Sequence, residues 1–191
     1  MSKNPQRKRP PYELIFMAFI ALAPVVGSYL AYHFWSPGRF VNYGELLTPG
    51  PLPDIFLERV DGADFRFSQL RGKWIFVTVD PGACPEGCRD KLYKIRQLRL
   101  TQGKDMDRVE RVWLLDDAGT PNPGVVAEHP GLWPVKAAGD ALKRLALNGA
   151  PRDYIYLVDP LGNLMMRYPE NADPSKMAKD IARLLKVSRI G

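Results

Sequence analysis

The longest uncharged stretch of the chain lies near its N-terminus. From Leu14 to Trp35, 22 consecutive residues include no Lys, Arg, Asp or Glu. As an α-helix this stretch is about 33 Å long, whereas the hydrocarbon core of a bilayer is about 30 Å thick. The pattern therefore predicts a transmembrane helix at residues 13–35, preceded by a basic tail at residues 1–12.

The basic tail also predicts on which side of the membrane the rest of the chain lies. Of the net charge of +6, four positive charges fall within the first twelve residues. Because positive charge stays on the cytoplasmic side, we expect a single-pass protein of the inner (cytoplasmic) membrane, with everything after Trp35 on the periplasmic side. The alternative is a cleaved signal peptide. Its small-x-small site, Ala21-Leu22-Ala23, is followed directly by Pro24, which disfavours cleavage.

Beyond this helix the hydrophobic pattern changes to that of a soluble domain. Residues 36–51 are rich in Pro and Gly and predict a linker, and residues 52–191 predict one domain. Trp74–Val79 is a continuous apolar run, typical of a strand buried on both faces. Arg89–Leu100 has apolar residues at helical spacing. Further predicted elements are a hairpin around Asp61-Gly62, strands at 109–115, 133–135, 154–158 and 164–168, and helices at 122–128, 140–147 and 173–187.

The order of these elements predicts the fold class. Strands and helices alternate after the first hairpin, and the last two strands form a second hairpin around a Pro-Leu-Gly-Asn turn. Such an order predicts an α/β domain with a mixed sheet and helices on both faces. The chain has no basic patch interleaved with aromatic residues, so we expect no nucleic-acid partner. The expected contacts are membrane lipid through the N-terminal helix and a protein partner.

The only two cysteines of the chain are the candidate site residues. Cys84 and Cys88 lie in the sequence Cys-Pro-Glu-Gly-Cys, between a predicted strand and a predicted helix. A helix N-terminus favours the thiolate form of a nearby cysteine. The spacing permits a disulfide, but so small a loop gains little stability from one. Redox chemistry or metal binding is therefore the preferred interpretation over a structural disulfide.

Metal binding by the same two cysteines is the second interpretation. A structural zinc site needs four ligands, and the domain offers Cys84, Cys88 and a single histidine, His129. Two thiolates are enough for Cu(I), which makes copper the metal that fits best. Asp80 precedes the pair by four residues. It is either a proton carrier for thiol exchange or a turn former ahead of Pro81.

Three sequence motifs resemble the Sco/SenC family of copper-binding cytochrome c oxidase assembly proteins. They are Gly72-Lys73-Trp74, Cys84-Pro85-x-x-Cys88 and Tyr156-Leu157-Val158-Asp159-Pro160-x-Gly162. The resemblance covers most of residues 52–187. It implies a thioredoxin-like domain on an N-terminal membrane anchor, with a dithiol that acts in oxidase assembly and binds copper.

The chain departs from the family at the third copper ligand. The family places a histidine eight residues before the Asp of its Asp-Pro turn, and here that residue is Pro151. We interpret His129, 22 residues earlier, as a solvated loop histidine and not as a replacement ligand. Pro151 is either an ordinary loop proline or a shifted counterpart of the cis-proline that thioredoxin-like reductases place opposite their cysteines.

Three hypotheses for the function remain. In the first, the chain is a thiol-disulfide oxidoreductase for assembly of cytochrome c oxidase, and Cys84 attacks while Cys88 resolves the mixed disulfide with copper-site cysteines of an oxidase subunit or assembly factor. In the second, it is a chaperone that holds Cu(I) on Cys84 and Cys88. In the third, it is a tethered interaction domain with an inert disulfide.

Overall fold

A computed structural model describes residues 11–34, 42–147 and 149–188, and the chain divides into two compact units, residues 1–41 and 42–191. The first unit contains one helix, α1 (Pro11–Phe34). Within the described residues, its segment Tyr12–Phe34, with a mean hydropathy of 2.2, is the one helix long and apolar enough to cross a membrane. The predicted N-terminal apolar helix is therefore confirmed, although Trp35 and most of the predicted basic tail lie outside the described residues.

The second unit is built on one eight-stranded sheet. Its spatial order is β1-β8-β7-β4-β5-β6-β2-β3; β4, β5 and β6 run parallel and the other neighbours run antiparallel. The strands are β1 (Glu45–Pro51), β2 (Leu57–Arg59), β3 (Asp64–Phe65), β4 (Trp74–Asp80), β5 (Val109–Leu115), β6 (Leu132–Lys136), β7 (Tyr154–Val158) and β8 (Asn163–Pro169). The helices are α2 (Glu86–Thr101), α3 (Pro123–Glu128), α4 (Asp140–Arg144) and α5 (Pro174–Val187).

The central strand β4 explains the two hydrophobic cores of the domain. All seven of its residues are buried, because neighbouring side chains of a strand point to opposite faces and both faces are covered. Trp74 and Phe76 pack in a cluster with residues of α2 and α5, and the same cluster contains both cysteines. Ile75 and Val77 pack in the cluster on the other face. The predicted mixed α/β sheet is confirmed.

Part of the predicted linker lies in the sheet. Residues 45–51 form β1, an edge strand paired antiparallel with β8, whereas residues 36–41 lie outside the described residues. Pro49 and Pro51 suggested a linker because proline donates no backbone hydrogen bond. An edge strand tolerates proline, since one side of it needs no partner.

A buried carboxylate holds the segment that leads into β1. Asp180 of α5 is 1% exposed and accepts hydrogen bonds from the backbone N–H groups of Tyr43, at 2.8 Å, and Gly44, at 2.9 Å. A side chain at residue 44 would collide with Met166, whose Sδ lies 2.5 Å from where a Cβ would be. The compact domain therefore starts at Asn42 and not at residue 52.

Candidate functional site

The structure brings the two predicted site residues together at the end of the central strand. Cys84 and Cys88 form a disulfide, and their Cα atoms are 5.1 Å apart. Cys84 lies in the loop after β4, and Cys88 lies in the first turn of α2. Each residue is only 1% exposed. The sequence analysis placed Cys88 before the helix, but α2 starts at Glu86, directly after Pro85, whose extended backbone marks the helix boundary.

The backbone around Cys84 has an unusual conformation. Its φ angle is 45°, in the left-handed region that residues other than glycine rarely adopt. Its N–H donates to the Pro81 carbonyl at 3.0 Å, and its own carbonyl accepts from the Arg89 Nε at 3.4 Å. A turn before the cysteine and a side chain from α2 thus hold this conformation together.

A second loop supports the cysteine loop from the side. The Gly82 N–H donates to Asp117 Oδ1 at 2.9 Å. A Cβ at residue 82 would lie 2.8 Å from the backbone of Gly119, so only glycine fits here without a shift. The loop that follows β5 therefore packs directly against the loop that carries Cys84.

A buried ion pair lies on the cysteine side of the sheet. Asp80 ends β4 on the same face as Trp74 and Phe76, and its Oδ1 is 2.8 Å from the Lys91 Nζ of α2. Lys91 is 1% exposed and Asp80 is 4% exposed. Burial raises the pKa of Asp80 to about 6, while Lys91 acts in the opposite direction. Among the described residues, none donates a hydrogen bond to the Oδ2 of Asp80, so this oxygen can accept a proton. Asp80 is therefore no exposed turn former.

The loop before β7 closes the other side of this pair. Pro151–Asp153 forms one turn of 3-10 helix, and the Arg152 carbonyl accepts a hydrogen bond from the Lys91 Nζ. The Arg152 guanidinium forms a two-point contact with Asp116, at 2.5 and 2.9 Å. Pro151, at the position of the family histidine, is thus the direct neighbour of the residue whose carbonyl binds Lys91. The Pro151 peptide bond is trans, so the cis-proline alternative is not realised.

His129 lies elsewhere and is not solvated, so that prediction is wrong. It follows α3, is 6% exposed, and lies in the wall of a cavity with residues of α2. Burial lowers its pKa, as do Arg111 and Arg96. Within the described ranges, no group of three or more His, Cys, Asp or Glu side chains is placed to hold a metal ion. The donors that the site offers are the two cysteine sulfurs.

Two residues next to the site, Lys91 and Arg152, were not predicted from the sequence. Lys91 lies three residues after Cys88, on the face of α2 that also carries Leu92 and Ile95 into the core. A lysine among the core positions of a helix was the available signal, because a buried lysine requires a partner. Arg152 carried no such signal, since its role follows only from the position of its loop.

Comparison with protein families identifies the domain. Residues 74–188, more than half of the chain, match the family described as transmembrane-like, thioredoxin-like, C-terminal domain. The chain belongs to this family. The match covers β4, α2 and every element after them, so both cysteines, Asp80 and Lys91 lie within the thioredoxin-like family domain. Among curated protein sequences, none matches the chain.

Solved structures share the fold of this thioredoxin-like family domain. Copper-bound Sco1 from yeast has a TM-score of 0.62 and 21% identity, over 74% of this chain and 96% of that one. BsSco, described as a cytochrome c oxidase assembly protein with a disulfide switch, has a TM-score of 0.58 and 13% identity, over 78% of this chain and 100% of that one. The thioredoxin domain of a thiol-disulfide oxidoreductase from Bacteroides vulgatus has a TM-score of 0.54 and 18% identity, over 74% of this chain and 99% of that one. The resemblance to the Sco/SenC family is thereby confirmed for the fold.

Proposed function

We propose that the chain is a membrane-anchored thiol-disulfide exchange factor that acts on the cysteines of a protein partner. One observation carries the proposal: Cys84 and Cys88 form a disulfide at the N-terminus of α2, and the buried pair of Asp80 and Lys91 connects the end of β4 to the same helix. A two-cysteine loop needs no buried carboxylate for stability, because a desolvated charge is costly even when it is paired. A carboxyl group with a pKa near 6 is suited to moving protons at neutral pH.

The reaction transfers two electrons in two exchange steps. The Cys84 thiolate attacks a partner disulfide, forms a mixed disulfide and releases one partner thiolate. Cys88 then loses its proton to the Asp80 carboxylate and attacks the Cys84 sulfur. This second step forms the domain disulfide and releases the other partner thiolate, so the partner is reduced and the domain is oxidised. The same steps in reverse oxidise a partner dithiol.

The partner and the location are proposed on different grounds. The basic residues before α1 support an inner-membrane protein with its domain on the periplasmic side. The sequence motifs shared with the Sco/SenC family support a cytochrome c oxidase subunit or one of its assembly factors as partner. Copper-site cysteines of an oxidase must be reduced before they bind metal, which is the state that this exchange would produce.

Exchange kinetics at different pH values test this proposal. With a disulfide-bonded test peptide, resolution of the mixed disulfide should accelerate with an inflection near pH 6, because Asp80 accepts the proton of Cys88 only when it is ionised. Asp80→Asn should slow resolution about 100-fold and remove the inflection. The exposed Asp140→Asn on α4 is the matched control and should leave the profile unchanged.

Stability gives an independent check on the same carboxyl group. Its folded pKa of about 6 exceeds the ordinary value of 3.8, so the stability that the protonated form provides is lost as the pH rises through about 6. Asp80→Asn should remove this loss.

A domain that exchanges with no thiol or disulfide at any of the pH values of the kinetic experiment would contradict the proposal and support an interaction domain with an inert disulfide.

Cu(I) binding is the second candidate function, because the reduced dithiol itself is a Cu(I) donor set. Cu(II) prefers nitrogen and oxygen ligands in a tetragonal arrangement, and the side chain of Pro151 offers no such ligand atom. We therefore expect wild-type protein to bind Cu(I) and to bind Cu(II) weakly, and Pro151→His to raise the Cu(II) affinity. Competition titrations with reduced protein measure both affinities, and Cys84→Ser is the control. Equal Cu(II) affinity of wild type and Pro151→His would contradict a family-type copper site.

A further inference from the structure

A cavity between α2 and the segment after α3 lies on the cysteine side of the domain. Its volume is about 590 Å³. It is lined by Arg89, Tyr93, Arg96, Ala127, Glu128, His129 and Pro130. Arg89, Tyr93 and Arg96 follow one another along one side of α2, and the ring of Tyr93 is 56% exposed. The cavity therefore combines two arginines with an exposed aromatic ring.

Behind this cavity lies an arginine that forms no ion pair within 4.0 Å with any described residue. Arg111 of β5 is 2% exposed, and its Nη2 donates to the Pro130 carbonyl at 2.5 Å. Within the part of the chain that the structure describes, its buried Nε and Nη1 have no hydrogen-bond partner. Burial is the main cause that lowers the pKa of Arg111 to about 10; Arg99 and Arg96 act in the same direction and Glu110 in the opposite one. A buried guanidinium that no carboxylate contacts directly is costly.

The remaining wall of the cavity does not neutralise this charge. Glu128 is exposed, and among the described residues it forms no ion pair within 4.0 Å with Arg89, Arg96 or Arg111. The Nδ1 of His129 is buried and has no hydrogen-bond partner in the ranges that the structure describes. The cavity is thus lined and backed by more positive than negative charge, and two of its neighbouring side chains have unsatisfied buried nitrogen atoms.

The spacing of the arginines fits an extended chain. Arg89 and Arg96 are seven residues apart on α2, which corresponds to about 10.5 Å along the helix axis. An extended chain rises about 3.3 Å per residue, so a segment of three or four residues spans this distance. Guanidinium groups bind carboxylates with two parallel hydrogen bonds, which makes acidic side chains the matching ligands.

We propose that this cavity docks an extended acidic segment of the protein whose cysteines exchange with the Cys84–Cys88 disulfide. The inference rests on the proposed function and names a chemical property of the partner. Arg89 contacts both the cysteine loop and the cavity, because its Nε donates a hydrogen bond to the Cys84 carbonyl while its side chain lines the cavity. A partner carboxylate that binds Arg89 competes for this hydrogen bond and loosens the loop around Cys84.

A peptide without cysteine tests docking separately from exchange. The full chain in detergent micelles should bind a fluorescent, extended Asp/Glu-rich peptide in an anisotropy titration, and not its Asn/Gln counterpart. Arg96→Gln should weaken binding about 10-fold, whereas Arg144→Gln, the same charge change on the exposed face of α4, should change it less than about twofold. Arg96→Gln also removes a positive charge near Arg111, so it should not destabilise the domain.

Exchange rates then separate the two proposals. A disulfide-bonded peptide with acidic flanks should react about 10-fold faster than the same peptide with amide flanks, and Arg96→Gln should remove the difference. Equal rates for both peptides would overturn acidic docking and leave thiol exchange standing. Binding of the cysteine-free peptide without any exchange would overturn thiol exchange and leave acidic docking standing. Displacement of the peptide by inorganic phosphate at equal concentration would overturn peptide docking in favour of a simple anion site.

Discussion

Cys88→Ser should trap the domain in a stable mixed disulfide with its partner, whereas Cys84→Ser should abolish exchange. The two cysteines are equally buried, so exposure does not distinguish them. Their positions in the secondary structure do distinguish them. Cys84 lies in a loop with a left-handed backbone, and Cys88 lies within the first turn of α2. A loop can open towards a partner more easily than a helical turn, so we assign the attack to Cys84 and the resolution to Cys88.

The two variants can be compared by their covalent products. After incubation with a disulfide-bonded peptide, Cys88→Ser should give an adduct of protein plus one peptide chain in mass spectrometry, and dithiothreitol should release it. Cys84→Ser should give less than about a hundredth of that adduct, because the remaining Cys88 lies in a helical turn that opens less easily than the loop of Cys84. Wild-type protein is the control and should give only a transient adduct. A more abundant adduct with Cys84→Ser would reverse the assignment.

A soluble chain that starts at Leu52 should be much less stable than one that starts at Asn42. The shorter chain lacks β1, so β8 becomes an unprotected edge, and Asp180 loses its two backbone donors. Loss of these hydrogen bonds and of the edge strand should lower the free energy of unfolding by about 3 kcal/mol. Thermal unfolding followed by circular dichroism should show a midpoint roughly 10 °C lower for the shorter chain.

Asp180→Asn in both chains separates the role of the carboxylate from that of the strand. In the longer chain the substitution should be destabilising, because two backbone N–H groups lose a charged acceptor. In the shorter chain it should be neutral or stabilising, since the carboxylate there is buried with fewer donors. Equal effects in the two chains would show that Asp180 does not connect the segment before β1 to α5. Lys179→Gln, on the neighbouring position of α5, is the control.

The periodicity of the chain was sufficient to predict the centre of the fold. Trp74–Val79 is apolar throughout because both faces of β4 are covered, and Leu92, Ile95 and Leu98 lie at helical spacing because only one face of α2 is buried. β1 was missed for a physical reason. Its stability comes from β8 and Asp180, more than 100 residues away in the sequence, and not from its own composition.

The site was predictable only as far as its residues are close in sequence. Cys84, Cys88 and Asp80 lie within nine residues, so their proximity could be inferred from the chain alone. The burial of Asp80, which raises its pKa to about 6, depends on Lys91 and on the loop before β7, and the sequence does not show how these pack. The burial of His129 was missed for the same reason, since it depends on the packing of its loop against β5 and α2, where Arg111 and Arg96 lie near it.

The near-complete burial of both cysteines affects which molecules can react with them. Small thiols and oxidants that diffuse freely meet a closed surface, because Cys84 and Cys88 are each 1% exposed. Such molecules react only during brief openings of the loop, whereas a bound protein can hold the loop open. In the proposed exchange reaction, the domain should therefore equilibrate slowly with free small thiols and quickly with the protein that it recognises.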